Sequence, residues 1–208
     1  GYRMSIIPAE AFFASAVLLV EGPSEVIFYT ELAKALGLDL DLLNISILSV
    51  DVVQFEVYKK ILQALHIGWV ARTDNDVAKV PHRQEWSYTG ANRALTLCGL
   101  SKGGHVSHEI TSRERHNEWG RVTPLINARG VFLSITDLEG DLSCDFTAHL
   151  LDFSGAADAD AAADFLRDKK AIKMRALLKH KRQFLAELAD KDIARPLLAV
   201  QKLVRGEK

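Results

Sequence analysis

Cysteine, long apolar runs and a secretory leader are scarce or absent in this sequence, and each absence excludes a class of protein. The 208 residues contain two cysteines, Cys98 and Cys144, too few for a disulfide framework, and a reducing cytoplasm is therefore expected. The longest apolar runs, residues 14–20 and 45–50, are far shorter than a membrane span, which needs about 20 residues. No basic, apolar and small-residue leader is visible, so we expect neither secretion nor a membrane anchor.

Internal repeats are also lacking, as is the glycine-rich loop ending in Lys-Ser or Lys-Thr that cradles phosphates in P-loop ATPases. We therefore do not expect this region to bind ATP. Apolar residues make up 48% and charged residues 25% of the chain, values close to globular averages, so disordered and collagen-like classes are excluded. The length fits one large domain, or a domain with a small satellite.

The net charge of −1 hides an uneven distribution of charged residues. Residues 136–164 contain eight Asp or Glu and no Lys or Arg, whereas residues 166–208 contain thirteen Lys or Arg against five Asp or Glu. An acidic segment followed by a basic helical tail suits a protein that holds metal ions and a polyanion together. A solvated helix face beside an acidic loop explains the same pattern equally well.

Short apolar segments alternate with helical patterns along much of the chain. Strands are predicted at residues 16–20, 45–50, 67–73 and 131–135, and the first two long helices at residues 23–36 and 55–65. Such alternation predicts an α/β fold with a parallel sheet flanked by helices. Residues 82–128 are predicted as a mostly helical excursion. After Gly155 the apolar spacing is helical throughout, so we predict a domain at residues 10–155 and an attached α-helical subdomain at residues 156–208.

Acidic residues follow three of the four predicted strands. They are Glu21 and Glu25 after the first strand, Asp74 and Asp76 after the third, and Asp137, Glu139 and Asp141 after the fourth. Ligands of open α/β sheets bind beyond the carboxyl ends of the strands, so these groups are expected to converge on one rim. Clustered carboxylates repel one another and need cations, and an oxygen-only set favours Mg²⁺ or Mn²⁺. Taken singly, each group has a simpler interpretation as a helix-terminal or turn residue.

Several of these segments resemble known families. Glu21 in the segment at residues 19–22, with Asp74-x-Asp76 after a later strand, resembles the Toprim domain of type IA and II topoisomerases, primases and some nucleases. A narrower resemblance, to the OLD (overcoming lysogenization defect) family, is carried by residues 12–14, 17–25, 73–76 and 133–139 and by the lysine-bearing residues 169–174. It extends over roughly residues 10–180.

The resemblance implies a Toprim-type parallel sheet that carries a metal-dependent DNA endonuclease. Such an enzyme nicks and cleaves phosphodiester bonds by a two-metal mechanism, with two Mg²⁺ or Mn²⁺ ions. Proteins of this family carry an ATPase domain ahead of the Toprim region, so that domain is an expected partner, together with DNA. Association into a homo-oligomer through the ATPase is a further expectation.

The resemblance also assigns site residues. The ligands implied for one ion are Glu21, Asp74 and Asp76, and those for the second are Glu25, Asp137 and Glu139, helped by the hydroxyl of Ser134. Lys170 would stabilise charge on the scissile phosphate, with Lys169 and Lys173 as rivals in a lysine-rich helix. The expected catalytic set is therefore Glu21, Asp74, Asp76 and Lys170.

One segment departs from the family pattern. Where the family carries a glycine pair after the second strand, this sequence has Val50, Asp51, Val52 and Val53. Bulkier side chains there would alter the rim or the approach of DNA. Asp51 becomes an additional acidic candidate, which we leave out of the expected metal ligands.

Three other functions stay open. A non-catalytic Toprim module of the recombination-mediator type would bind DNA or support assembly with acids that no longer hold metal. A topoisomerase needs a tyrosine nucleophile, and Tyr29, Tyr58 and Tyr88 lack a matching context. A phosphatase of the receiver or haloacid class would use Asp74 and Asp76 as nucleophile and acid, but its usual downstream Thr or Ser and Lys are missing.

The helical excursion holds candidates of weaker specificity. The side chains that could suggest zinc are Cys98, His105, His108 and His116. Their spacing does not match a structural zinc site. His108 and His116, with Arg113 and Arg115, are expected to face phosphate or solvent.

Overall fold

Strands and helices alternate along the chain in the order that the apolar pattern predicts. The computed structural model describes residues 9–51 and 54–207. The strands are β1 (Ala16–Val20), β2 (Ile45–Ser49), β3 (Gly68–Thr73), β4 (Ala78–Lys79), β5 (Trp86–Ser87) and β6 (Val131–Leu133). The α-helices are α1 (Pro23–Ala35), α2 (Phe55–Ala64), α3 (Thr89–Leu97), α4 (Ser112–Asn127), α5 (Leu138–Asp145), α6 (Thr147–Ser154), α7 (Ala159–Arg167), α8 (Lys170–Lys181) and α9 (Arg195–Arg205). Short 3₁₀ helices lie at Ala9–Phe12, Arg182–Leu188 and Asp192–Ala194.

Four strands form one sheet in the order β2-β1-β3-β6, and β4 and β5 form a separate antiparallel pair. β1 runs parallel to β2 and to β3, with Ala16 opposite both Ile45 and Gly68. All five residues of β1 are buried, which explains why its sequence is apolar at every position rather than alternating. The predicted α/β fold, with a parallel sheet flanked by helices, is confirmed.

The fourth strand ends at Leu133 and is shorter than the predicted residues 131–135. The N–H of Ser134 still donates to the carbonyl of Thr73 in β3, at 3.0 Å. The N–H of Ile135 points to the other side of the chain and donates to the carboxylate of Asp141, at 2.9 Å. This hydrogen bond ties the end of β6 to α5.

The chain divides into two compact units. The central unit is Arg72–Arg167, and the terminal unit consists of the chain up to Ala71 together with the chain from Asp168 onward. The division into a domain at residues 10–155 and a helical subdomain at residues 156–208 stays a prediction. Within the described ranges, no helix combines the length and the apolar character needed to cross a bilayer.

In the terminal unit, the last helices pack against the first helix and strand. α8 and the 3₁₀ helix that follows it contact α1, and α9 contacts β1 and β2. The hydroxyl of Tyr29 in α1 donates to the carbonyl of Ile193, 3.0 Å away, and both residues are buried. Gly68 in β3 leaves room for Leu203 of α9, because a Cβ at Gly68 would collide with that side chain. The C-terminal helices therefore complete the packing around β1.

In the central unit, a short hairpin and two helices lie between β3 and β6. Trp86 of β5 pairs with Lys79 of β4 and also forms a bridge to Val106. α3 and α4 pack together, and both contact β6. The sequence predicts a mostly helical excursion at residues 82–128, and α3 and α4 lie within it. The sequence does not predict the hairpin, because its two-residue strands are too short to show an alternating pattern.

A capping box fixes the N-terminus of α4. The Thr111 hydroxyl accepts from the N–H of Glu114 at 3.3 Å, and the Glu114 carboxylate accepts from the N–H of Thr111 at 2.9 Å. His108 Nε2 lies 2.7 Å from Oε1 of the same carboxylate. The backbone hydrogen bond from Thr111, helped by the hydroxyl and His108, lowers the pKa of Glu114 from 4.5 to about 2. The same box sets the direction in which the first turn of α4 presents Arg115.

Replacement of Glu114 by glutamine is expected to make the stability of the protein less dependent on pH in acid. The folded state lowers the pKa of Glu114, so its carboxylate stabilises the fold above pH 4.5, and this contribution is lost as the pH falls toward about 2. Thermal unfolding followed through that pH range measures the difference. Glu109→Gln, at an exposed position before α4, is the control. Parallel loss of stability in the unchanged protein and in Glu114→Gln would contradict the prediction.

Candidate functional site

The segments that follow β3 and β6 run side by side in the central unit. The N–H of Asn75 donates to the carbonyl of Thr136 at 2.8 Å, and the side-chain amide of Asn75 donates to the preceding carbonyl at 3.1 Å. Asn75 is completely buried. The turn is therefore a fixed part of the central unit, and Asp74 and Asp76 lie next to the segment that leads into Asp137.

Gly90 allows α3 to lie against this turn. Its N–H donates to the carbonyl of Asp76 at 2.9 Å. A Cβ at this position would collide with the carbonyl of Asp74 and would lie 2.5 Å from the backbone nitrogen of Asp76. Glycine is therefore required for the close approach of the two backbones.

Arg72 in β3 pairs with two carboxylates. Its Nη2 lies 2.8 Å from Oδ2 of Asp141, and its Nη1 lies 3.7 Å from Oδ1 of Asp74. Arg72 is 3% exposed and Asp141 is 8% exposed. Burial raises the pKa of Asp141, and the charge of Arg72 opposes that rise. The pair is a buried ionic link between β3 and α5.

Arg93 in α3 binds the second aspartate of the turn. Its Nη2 lies 2.8 Å from Oδ2 of Asp76, and its Nη1 donates to the hydroxyl of Thr73. The side chain of Asp76 is 48% exposed, whereas that of Arg93 is 10% exposed. The carboxylate thus lies at the surface of the central unit, with the guanidinium beneath it.

Asp137 caps α5 and forms a two-point ion pair with Arg167. Its Oδ1 accepts from the N–H of Gly140 at 2.8 Å. The Nε and Nη2 atoms of Arg167 each lie 2.8 Å from one oxygen of Asp137, the geometry of a strong bidentate pair. These hydrogen bonds raise the pKa of Arg167. Glu139, one turn into α5, is 1% exposed.

Arg115 in α4 faces the same carboxylates. Its Nη2 donates to the carbonyl of Thr136 at 3.1 Å. Burial lowers the pKa of Arg115, and the negative charges of Asp137, Asp76 and Asp74 act against that lowering. The negative charges of all three aspartates therefore act on the guanidinium of Arg115.

The structure thus brings together three of the expected metal ligands, Asp74, Asp76 and Asp137. It surrounds them with four guanidinium groups, of which the sequence reasoning singled out one; the four are Arg72, Arg93, Arg115 and Arg167. Sequence reasoning could have looked for these arginines, because clustered carboxylates need cations nearby and arginine side chains meet that need as well as metal ions do. Among residues 9–51 and 54–207, no three His, Cys, Asp or Glu side chains are grouped so that they could hold a metal ion as they stand.

Two of the three expected glutamates, Glu21 and Glu25, belong to the terminal unit. Glu21 directly follows β1, and its carbonyl accepts a hydrogen bond from the hydroxyl of Ser49 at 3.4 Å. Glu25, in the first turn of α1, is 4% exposed and accepts from the hydroxyl of Ser24 at 2.9 Å. Gly22 leaves room for this carboxylate, because a Cβ there would lie 3.1 Å from Oε2 of Glu25.

The three candidate lysines also belong to the terminal unit. Lys170 is the first residue of α8 and is exposed. Lys169 precedes it in the left-handed conformation, with φ of 58°, and is also exposed. Lys173 is half-buried and lies 2.9 Å from the carboxylate of Asp168.

Two further expectations concern positions after strands. Ser134 directly follows β6 and is 3% exposed. Asp51 is exposed. Val52 and Val53, which complete the departure from the family pattern, lie outside the described residues.

The donor set of the central unit fits a divalent cation in its chemistry. The expected ligands there offer carboxylate oxygens and one hydroxyl, the hard donors that Mg²⁺ and Mn²⁺ prefer. The ion pairs of Asp76 with Arg93 and of Asp137 with Arg167 occupy the same oxygens. A cation and the guanidiniums therefore compete for these carboxylates.

A parallel α/β sheet with acidic residues after its strands is the arrangement that the Toprim resemblance implies, and comparisons with known proteins agree with it. The family described as "Overcoming lysogenization defect protein-like, TOPRIM domain" matches residues 12–76. Endonuclease GajA of Bacillus cereus (strain VD045) is 30% identical over 151 residues, which are 64% of this chain and 26% of GajA. The matched segment therefore spans about a quarter of the length of that relative.

Solved structures extend the likeness to most of the chain. The C-terminal region of the Burkholderia pseudomallei OLD protein superposes with a TM-score of 0.56 at 24% identity, covering 92% of this chain and 99% of that one. The C-terminal region of the Xanthomonas campestris pv. campestris OLD protein has a TM-score of 0.50 at 24% identity, covering 94% and 96%. At these identities the likeness shows the fold. The predicted resemblance to the C-terminal Toprim region of the OLD family is confirmed.

Gly90→Ala is expected to destabilise the protein by about 1–3 kcal/mol, because the added methyl group would push α3 away from the Asp74–Asp76 turn. Urea unfolding measures the change in the free energy of unfolding. Gly104→Ala is the matched control, since a Cβ at Gly104 would meet no heavy atom within 4 Å. Equal stability of the two variants would contradict the close approach described here.

Arg72→Met is expected to cost about 3–5 kcal/mol, because it leaves the buried carboxylate of Asp141 without its cation. The double variant Arg72→Met with Asp141→Asn removes both charges, keeps an acceptor for the N–H of Ile135, and should recover most of that loss. Urea unfolding of the two single variants and the double variant gives the coupling free energy. Additive losses would show that the two side chains do not depend on each other.

Proposed function

We propose that this chain hydrolyses phosphodiester bonds in DNA, as the metal-dependent endonuclease region of an OLD-type protein. The observation that carries the proposal is the gathering of Asp74, Asp76 and Asp137 around one guanidinium, after β3 and β6. The 30% identity with endonuclease GajA supports the reaction class. The matched segment is 26% of GajA, so the activity of the whole protein is proposed here and does not follow from that identity.

Each expected site residue has a role in this proposal. The carboxylates of Glu21, Asp74 and Asp76 would hold one Mg²⁺ or Mn²⁺, and those of Glu25, Asp137 and Glu139, with the hydroxyl of Ser134, would hold a second. When bound, the two ions supply the positive charge that activates a water and stabilises the leaving oxygen of a phosphodiester. Lys170 would stabilise negative charge on the scissile phosphate.

Ion binding at these carboxylates requires an exchange of partners. Arg93 now holds an oxygen of Asp76, and Arg167 holds both oxygens of Asp137. A divalent ion that takes these oxygens leaves the guanidiniums with donors that need new acceptors. Phosphate oxygens are suitable acceptors, because arginine binds them with two parallel N–H donors.

DNA is the proposed substrate, and α8 offers part of its binding surface. Arg175 and Lys179 are exposed and lie one turn apart on α8, and Lys170 lies at its start. Cations on such a helix contact backbone phosphates, which gives affinity that falls with salt and carries little base specificity.

Two further parts of the proposal concern the full-length protein. An ATPase domain is proposed as a partner, and copies of the protein would associate through it; the family resemblance and the greater length of GajA support this. The 208 residues themselves are not expected to bind ATP. The presence of only two cysteines supports a reducing, cytoplasmic location.

Plasmid cleavage by the full chain in Mg²⁺, Mn²⁺, Ca²⁺ or EDTA tests the proposed activity. Nicking and linearisation are expected with Mg²⁺ or Mn²⁺ and are expected to stop in EDTA. Asp76→Asn should lower the rate by about 100-fold or more, since it removes a charged ligand and keeps the shape of the side chain. Asp190→Asn, at an exposed position in the terminal unit, is the control. Cleavage by Asp76→Asn at the unchanged rate would contradict the assignment.

The same assay compares the three lysines. Lys170→Ala is expected to lower the cleavage rate more than Lys169→Ala or Lys173→Ala does. Lys173 is a weaker candidate because it already pairs with Asp168 at 2.9 Å. A larger loss in Lys169→Ala or Lys173→Ala would move the role to that residue.

A non-catalytic DNA-binding or assembly module is the second candidate function. The ion pairs of Asp76 with Arg93 and of Asp137 with Arg167 favour it, because guanidiniums already neutralise the acids that would hold metal. Calorimetric titration with Mn²⁺ separates the two functions. Binding that is lost in Asp76→Asn supports the nuclease, whereas DNA binding without Mn²⁺ binding supports the module.

A further inference from the structure

The bonding of Arg115 does not account for its position. Among the described residues, its guanidinium makes one hydrogen bond, from Nη2 to the carbonyl of Thr136 at 3.1 Å. Its Nε is buried and donates to no acceptor in the part of the chain that the structure describes. A buried N–H without an acceptor destabilises a protein. The hydrogen bonds of the described residues therefore do not explain why an arginine stands here.

A direct ion pair within the described residues does not explain the position of Arg115 either. The three aspartates that act on Arg115 already have guanidinium partners, and these pairs are Asp74 with Arg72, Asp76 with Arg93, and Asp137 with Arg167. Within the described residues, Arg115 itself comes within ion-pair distance of no carboxylate. Each of the three aspartates thus has another guanidinium within ion-pair distance.

The guanidinium of Arg115 is also held in place and partly open. The N–H of Arg115 donates to the carbonyl of Thr111 at 2.9 Å, next to the capping box that fixes the start of α4. Nη1 makes no hydrogen bond among the described residues and is not among the buried atoms. A rigid backbone position therefore presents two free N–H donors beside the carboxylates.

We infer that Arg115 binds a phosphate of the nucleic-acid substrate through Nη1, the guanidinium nitrogen that is neither hydrogen-bonded nor buried. Phosphate is the ligand whose oxygens match this geometry, and its negative charge supplies the acceptor that the protein does not. Arg115 is then a catalytic residue of the proposed reaction, since it touches the substrate beside the expected metal ligands. The inference rests on the proposed function for the substrate class, whereas the contact with a phosphate can be tested by binding alone.

Arg115→Ala and Arg115→Lys in the full chain test the inference, with Arg129→Ala as the matched control. Arg129 lies just after α4, is exposed, and also donates one guanidinium hydrogen bond to a backbone carbonyl, that of Leu125 at 2.7 Å. No expected site residue depends on it. Thermal unfolding of each variant shows whether it is folded before activity is compared.

The first readout is binding of a DNA duplex of about 20 base pairs in Ca²⁺ at several salt concentrations. Arg115→Ala is expected to weaken binding and to reduce the slope of log affinity against log salt by about 1, the loss of one phosphate contact. Arg115→Lys should keep the slope and recover part of the affinity, because it keeps the charge without the planar fork. Arg129→Ala should leave both unchanged.

The second readout is plasmid cleavage in Mn²⁺, with Mn²⁺ binding measured separately by calorimetry without DNA. Arg115→Ala is expected to lower kcat/KM by about 100-fold while Mn²⁺ affinity is kept. Loss of Mn²⁺ affinity with an unchanged salt slope would overturn the inference, because Arg115 would then only position the carboxylates. Unchanged DNA binding and cleavage in Arg115→Ala would overturn it as well.

Failure of the proposed function gives a different result. If the unchanged protein binds DNA but cleaves none in any metal, the nuclease is wrong, and a reduced salt slope in Arg115→Ala still supports the phosphate contact. If the unchanged protein neither binds nor cleaves DNA, both proposals fall.

Discussion

Carboxylates gathered at the ends of strands need cations beside them, and the central unit is arranged around this requirement. A carboxylate taken out of water is strongly destabilising unless a cation or hydrogen-bond donors accompany it. Three ion pairs meet the requirement, those of Arg72 with Asp141, Arg93 with Asp76 and Arg167 with Asp137. The guanidiniums come from β3, α3 and α7. Neutralising the acids therefore also fastens these elements to the segments that follow β3 and β6.

The sheet and the positions of the acids could be predicted because both depend on residues that are close together in the sequence. A strand buried on both faces must be apolar throughout, so β1 is recognisable from five residues alone. An acidic residue that directly follows such a strand, such as Glu21 or Asp74, must lie at the carboxyl end of that strand. The grouping of Asp74, Asp76 and Asp137 in one unit follows from β3 and β6 being neighbours in the sheet.

The partners of the acids could not be predicted, because their positions depend on how helices pack. Arg93 and Arg167 lie 17 and 30 residues from the acids they bind, on helices whose charged residues look like ordinary solvated faces. The link from the end of β6 to α5 has the same origin, since the side chain of Asp141 accepts from the N–H of Ile135. Arg72 is the exception, because it stands two residues before Asp74 in the sequence.

The charges of the central unit connect ion binding with substrate binding. Counting Asp141 as ionised beside Arg72, the five acids (Asp74, Asp76, Asp137, Glu139 and Asp141) face four guanidiniums (Arg72, Arg93, Arg115 and Arg167), which leaves one negative charge. A divalent ion alone would reverse the sign of this cluster, and a phosphodiester alone would deepen its negative charge. A divalent ion and a phosphodiester carry opposite charges, so in the proposed site each would lower the electrostatic cost of binding the other. The phosphate would then matter as much as the metal, because it would give the displaced guanidiniums a new anion to bind.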